Sequence, residues 1–209
     1  MCTLPLQSGP PGMVRSLYVD AGNIEIMATY LDKTASINTK TRLIHFPSGD
    51  EDGEKLLEVP IGHICPNNII SVTVGLLKEW YEQEHDRDLT VGISDGAGHS
   101  NMFKIHDVNN YAKWTPCKVI DGEDDNKLVR ETSPFSATVK LTFNPMMHYG
   151  VCETPQDYGY INTGTFNTKM DFTEPFYLRL NRDNSYEEYY LYYIKVEIYR
   201  WLCLFGPSV

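Results

Sequence analysis

The densest run of chemistry-bearing residues is Asp121-Gly122-Glu123-Asp124-Asp125-Asn126, four carboxylates in six positions. Calcium takes six to eight oxygen ligands, and an acidic turn supplies them at short spacing. Asp121, Glu123 and Asp125, at alternate positions, are the candidate metal ligands, which makes calcium the candidate cofactor. The EF-hand pattern is not met, because the sixth position of the loop is Asn126 rather than Gly and the twelfth is Thr132 rather than Glu. Asp50, Glu51, Asp52 and Glu54 form a second acidic turn. Solvated surface turns are the commoner outcome for both.

A second chemistry is sugar recognition. Rings stack on the apolar faces of a sugar, and Asn, Asp and backbone groups bond its hydroxyls. Asp107-Val108-Asn109-Asn110-Tyr111-Ala112-Lys113-Trp114 has that mixture, with Asn109, Asn110, Tyr111 and Trp114 as the candidate ligand contacts. Tyr158-Gly159-Tyr160-Ile161-Asn162-Thr163-Gly164-Thr165 repeats it in a glycine-rich stretch. Ten of the fourteen tyrosines lie from Tyr149 onward, so the last third of the chain is enriched in amphipathic contact groups. A given tyrosine is more often core or rim packing than ligand contact.

Catalysis has weaker support. Glu25, Glu197, Asp20 and Asp107 lie in or beside expected strands, but no spacing singles out a carboxylate pair for glycoside cleavage. His148 stands four residues before Cys152, yet catalytic Cys and His groups meet in space rather than in sequence. No GxSxG, P-loop or GxGxxG motif occurs. The six histidines are scattered, with His99 and His106 flanking one expected hairpin.

The elements that must position these groups read as strands. Alternation puts Ile24, Ile26, Ala28 and Tyr30 on one face of a strand. Residues 41–46 form a second, short strand, and residues 55–61 return as its hairpin partner. Residues 68–75, rich in Ile and Val, read as a buried strand. In residues 76–85, Leu76, Leu77, Trp80 and Tyr81 recur at helical spacing and predict one short helix. Residues 89–94 and 101–107 form a hairpin around the turn Asp95-Gly96-Ala97-Gly98. Phe135, Ala137, Val139, Leu141 and Phe143 share a strand face, and residues 144–168, with Pro145, Pro155 and several Gly, read as loop. Residues 176–180 are a strand. In residues 187–201, Tyr190, Tyr192, Ile194, Val196 and Ile198 face one side, while Tyr189, Leu191, Tyr193, Lys195, Glu197 and Tyr199 face the other.

Strands separated by turn signals, with scarce helix, predict an all-β fold: an antiparallel β-sandwich of jelly-roll type. The expected organisation is a flexible leader over residues 1–13 and a single domain over residues 14–209, with residues 24–30 and 190–198 as central strands. Residues 89–96 and 101–107 are loosely similar to strand pairs of lectin-like β-sandwiches, a resemblance too short to assign a family.

A formal net charge of −10, with dispersed basic residues, argues against nucleic-acid partners and against anionic membrane surfaces. Membrane insertion is not expected, since the longest uncharged apolar run, residues 69–77, is far short of the ~20 residues a helix needs to span. Residues 1–14 lack the apolar region of a signal peptide. Cys2, Cys65, Cys117, Cys152 and Cys203 form no CxxC pair. Their wide spacing suits two long-range disulfides and a spare thiol, with five reduced thiols as the alternative.

The leading expectation is a secreted, non-catalytic recognition module that binds carbohydrate, lectin-like, from which a leader is absent in this chain; a cytoplasmic protein is the alternative location. The alternative functions are a glycan hydrolase or lyase using strand carboxylates, and a structural jelly roll. Homo-oligomerisation through outward Tyr and Leu of residues 189–199 goes with the structural reading.

Overall fold

A computed structural model describes residues 13–20, 36–38, 43–46, 55–78, 88–105, 115–116, 135–153, 158–183 and 189–200. Among them are thirteen strands and no helix: β1 Met13–Asp20, β2 Ser36–Asn38, β3 Leu43–Phe46, β4 Lys55–Gly62, β5 Asn68–Lys78, β6 Asp88–Asp95, β7 Ser100–Ile105, β8 Thr115–Pro116, β9 Phe135–Phe143, β10 Tyr149–Glu153, β11 Tyr158–Thr165, β12 Phe176–Asp183 and β13 Tyr189–Arg200.

Every pairing is antiparallel. The neighbour order is β2-β3-β13-β5-β9-β10-β11-β7-β6-β12-β4, with β1 also on β13 and β8 also on β9. Eight of these strands form the frame: β3-β13-β5-β9 in one layer and β4-β12-β6-β7 in the other. Numbered one to eight along the chain, the frame strands run 1-8-3-6 and 2-7-4-5. These are two interleaved Greek keys, the jelly-roll order. The β10–β11 hairpin continues the first layer, and β11 then pairs with β7, so one continuous sheet closes along that side.

Alternation decides what fills the space between the layers. Ile70, Val72, Val74, Val139, Leu141, Phe143, Ile194, Val196 and Ile198 enter it from one side; Leu57, Val59, Ile61, Val91, Ile93, Phe103, Leu178 and Leu180 enter from the other, and all join one buried cluster. The Phe103 and Phe143 rings meet across it with centroids 4.8 Å apart.

Several expectations are corrected. Residues 55–61 do form a strand, but β4 pairs with β12 in the opposite layer and not with β3. The predicted helix is replaced at its start. Leu76, Leu77 and Lys78 lie in β5 between β9 and β13, where both backbone edges are hydrogen-bonded, and Leu76 is fully buried. Ladder partners on both sides outweigh a short helical pattern. The rest of the predicted helix lies outside the described residues.

Residues 144–168, read as loop, hold β10 and all of β11. The misleading signal was glycine. A Cβ on Gly150 would sit 3.1 Å from the Phe103 ring and 3.2 Å from Leu141 and Phe143, so this glycine permits close approach inside a strand and marks no turn.

In β13, Leu191 was assigned to the outer face and is fully buried. The ladder to β5 shifts register between Leu191 and Tyr193, and that irregularity turns Leu191 inward with Ile194. β13 is central, as expected, whereas residues 24–30 lie outside the described residues. Cys65 and Cys152 are thiols, not half-cystines. Cys152 is instead a buried residue on the inward face of β10, the usual place for a small apolar side chain.

Candidate functional site

The sugar-contact candidates Asn109, Asn110, Tyr111 and Trp114 lie outside the described residues, as do the metal candidates Asp121, Glu123 and Asp125 and the acidic turn at Asp50. Among the described residues no group of three or more His, Cys, Asp or Glu side chains could hold a metal ion. The second sugar-contact stretch, residues 158–165, is described, and with its surroundings it forms the candidate site.

Two polar regions must be told apart first. At one end of the sandwich, inward positions that would continue the apolar faces carry Asn68 at the start of β5, Asp95 at the end of β6 and Asn101 in β7, and Asn144 follows directly after β9. All four are buried. The Asp95 carboxylate accepts from His99 N at 2.7 Å and from Asp171 N at 2.8 Å, and its Oδ2 lies 2.9 Å from His99 Nδ1. Burial pushes this carboxyl up, but the hydrogen bonds from Asp171 and His99 together outweigh it and hold it below the usual carboxylate range.

The neighbouring amides are satisfied in the same way. Asn101 Nδ2 donates to Pro145 O at 2.7 Å, and its Oδ1 accepts from Asn167 N. Asn144 Nδ2 donates to Pro66 O at 3.0 Å and to Asn68 O at 2.9 Å, while its Oδ1 accepts from Met146 N at 2.8 Å. Asn68 Oδ1 accepts from Cys65 N at 2.7 Å, and its Nδ2 donates to Tyr199 O at 3.2 Å. These side chains stand in for the ladder bonds that end where strands become turns. They fasten the β4–β5, β6–β7, β9–β10 and β11–β12 connections to one another. Their capacity is spent on that, and little is left for a ligand. Sequence reading took residues 95–98 as a simple turn and missed Asp95. The signal was present: alternation from Val91 and Ile93 places Asp95 inward.

The outer face of the first layer is the opposite case. Along β10 the odd positions Tyr149, Val151 and Glu153 face outward, while Gly150 and Cys152 are buried. Register sets Asn162 opposite Tyr149 and Tyr160 opposite Val151. Tyr160 is 74% exposed and Tyr149 41%, and their rings meet edge to face at 6.1 Å. His148 joins this group, 5.9 Å from Tyr149 and from Phe166. It does not meet Cys152, whose side chain is buried on the inward face of β10.

The ladder then carries the row inward as Tyr160, Val151, Thr142, Ser71, Glu197 and Ser16, one residue per strand. Thr142 Oγ1 donates to Ser71 Oγ at 3.2 Å. The adjacent row holds the ion pairs Lys140–Glu153 at 3.2 Å and Lys195–Glu197 at 2.8 Å. The hydrogen bond to Glu197 raises the Lys195 ammonium above its ordinary value, and burial together with Glu197 pushes the Tyr199 phenol up. At the far edge, Tyr18, 58% exposed, stacks on Tyr193 with centroids 5.6 Å apart and planes at 17°. Five strand spacings separate β11 from β1, about 24 Å. The face is therefore a band of hydroxyls and paired charges with an aromatic pair at each end.

Of the strand carboxylates considered for catalysis, two belong to described strands. Glu197 is held by Lys195, and Glu25 and Asp107 lie outside the described residues. Asp20 ends β1 opposite Tyr193. Glu58, on the second layer, is held by Arg179 at 3.0 Å.

No protein-family model matches the chain, and no curated protein matches it. Solved structures of similar overall shape include a lectin from Bauhinia forficata in complex with GalNAc, with 8% identity, a TM-score of 0.45 and coverage of 89% of this chain and 99% of that one. The winged bean acidic lectin complexed with methyl-alpha-D-galactose matches with 10% identity, a TM-score of 0.45 and coverage of 88% and 99%. The carbohydrate recognition domain of Emp47p matches with 9% identity, a TM-score of 0.41 and coverage of 95% and 93%. These structural neighbours are lectins and a carbohydrate recognition domain, and the likeness is one of fold.

Proposed function

We propose that this chain is a non-catalytic recognition module that binds a glycan on the outer face of β10 and β11 and the strands beside them. The carrying observation is Tyr160, 74% exposed beside Tyr149 on a regular strand pair. Large aromatic surface left in water is costly, and on a strand it is held in a fixed orientation, which lowers the entropy lost on binding. Asn162 next to the rings and Thr142 farther along the row offer polar contacts for a sugar's hydroxyls. The Asn109, Asn110, Tyr111 and Trp114 contacts and calcium at Asp121, Glu123 and Asp125 belong to the same reading. An extracellular setting, where such ligands are displayed, belongs to it as well.

The test is a glycan array with the intact chain, run with calcium and with EDTA, followed by titration of any hit against Tyr160→Ala and Tyr149→Ala. Binding to one sugar class, weakened about tenfold or more by either substitution, supports the reading. No binding in either condition, or binding indifferent to both tyrosines, removes it.

A further inference from the structure

β1 and β4 are outer strands of the two layers: β1 flanks β13, and β4 ends the order after β12. Between them lies a cavity of about 190 Å³. Its walls are Leu17, Val196 and Ile198 from one layer and Pro60 and Ile61 from the other. The charged group lining it is Arg15.

This arginine is poorly satisfied. A guanidinium has five N–H donors. Among the described residues its hydrogen-bond acceptor is the His63 carbonyl, 3.4 Å from Nη2, and no described carboxylate pairs with it. Its place is nevertheless built. Gly62 has φ +71°, a conformation that favours glycine, and a Cβ there would fall 2.7 Å from Arg15 Nη1, so the guanidinium lies against bare backbone. Partial burial lowers the Arg15 pKa from its ordinary value. Lys140, Lys195 and Arg179 each have a carboxylate within ion-pair distance; among the described residues Arg15 has none.

We propose that this cavity binds a small monocarboxylate with an apolar body, its carboxylate on Arg15 and its body between Leu17, Ile61 and Val196. The planar fork of arginine matches a carboxylate in a two-bond pair. A single cation suits a single negative charge better than a phosphate dianion. Leu17, Pro60 and Ile61 beside Arg15 favour an apolar body over a polyhydroxylated one, whose hydroxyls would find Ser16 as the one polar side chain besides Arg15 in the lining. The site is separate from the tyrosine face, and neither proposal needs the other.

The experiment is calorimetric titration of the intact chain with hexanoate, with hexanamide as the neutral counterpart, and with inorganic phosphate and glucuronate. Saturable hexanoate binding is expected, with hexanamide, phosphate and glucuronate each weaker by about tenfold or more. Arg15→Gln should weaken hexanoate by a similar factor, and Arg15→Lys by less, since the charge remains and the fork is lost. Absence of hexanoate binding, equal binding of hexanamide, or binding unchanged in Arg15→Gln overturns the proposal. Phosphate or glucuronate binding as tightly as hexanoate overturns the ligand class. If Arg15→Gln fails to fold, the four-ligand comparison and Arg15→Lys still decide. Glycan binding, where found, should be the same in Arg15→Lys, so the two readings fail separately.

Discussion

Asp95 and Tyr160 each sit where hydrophobicity alone would not put them. The first is a carboxylate whose side chain has no solvent exposure, and the second is a large ring 74% exposed. The reasons differ. Asp95 gathers backbone N–H groups from two turns that have no ladder partner, and with Asn68, Asn101 and Asn144 it fastens four connections at one end of the sandwich. Tyr160 and Tyr149 are instead the exposed aromatic pair on the outer face. They project from a hairpin whose inward side is already closed by Gly150 and Cys152. A satisfied polar group inside is architecture, while an aromatic group kept outside is available to a ligand.

The largest test of this contrast is Gly92→Ala. The new Cβ would overlap the Asn101 carbonyl oxygen and come within 2.7 Å of Met102, so the β6–β7 pair must shift and carry Asn101 with it. A loss of about 3–4 kcal/mol is expected in chemical denaturation. Asp95→Ala comes next, at about 3 kcal/mol, because the N–H groups of His99 and Asp171 lose a charged acceptor. A loss under about 1 kcal/mol would make the cluster surface decoration.

Asp95 also predicts a pH dependence. Its folded pKa is depressed, so its contribution is complete above the unfolded value of about 4 and is lost as pH falls through the lower folded value. Acid unfolding followed by circular dichroism should therefore be shallower below about pH 4 in Asp95→Asn than in the parent.

Tyr160→Ala should reverse the pattern, changing stability by no more than about 0.5 kcal/mol while weakening glycan binding. A large stability loss would place that ring in the architecture and break the comparison. The smallest effect belongs to Lys140–Glu153. Both side chains are about two-fifths exposed, and a double-mutant cycle should return less than about 1 kcal/mol.

The sequence by itself determined the fold class and most strands. Alternation in Phe135, Ala137, Val139, Leu141 and Phe143 and in Ile194, Val196 and Ile198 requires a two-faced strand, because period two cannot be buried on a helix. It also pointed to Tyr160 and Asn162 by composition. Only the tertiary structure decided partners and exceptions. β4 reads as a return for β3, but the chain crosses to the other layer, where β4 pairs with β12, and a local pattern does not specify which edge a strand meets. Leu76 and Leu77 fit a helix until β9 and β13 occupy both sides of their backbone. Leu191 turns inward through a register shift that alternation does not encode. Asp95 is read as a turn residue until the backbone N–H of Asp171, distant in sequence, joins that of His99 on its carboxylate. Convergence of that kind is long-range, and local spacing carries no record of it.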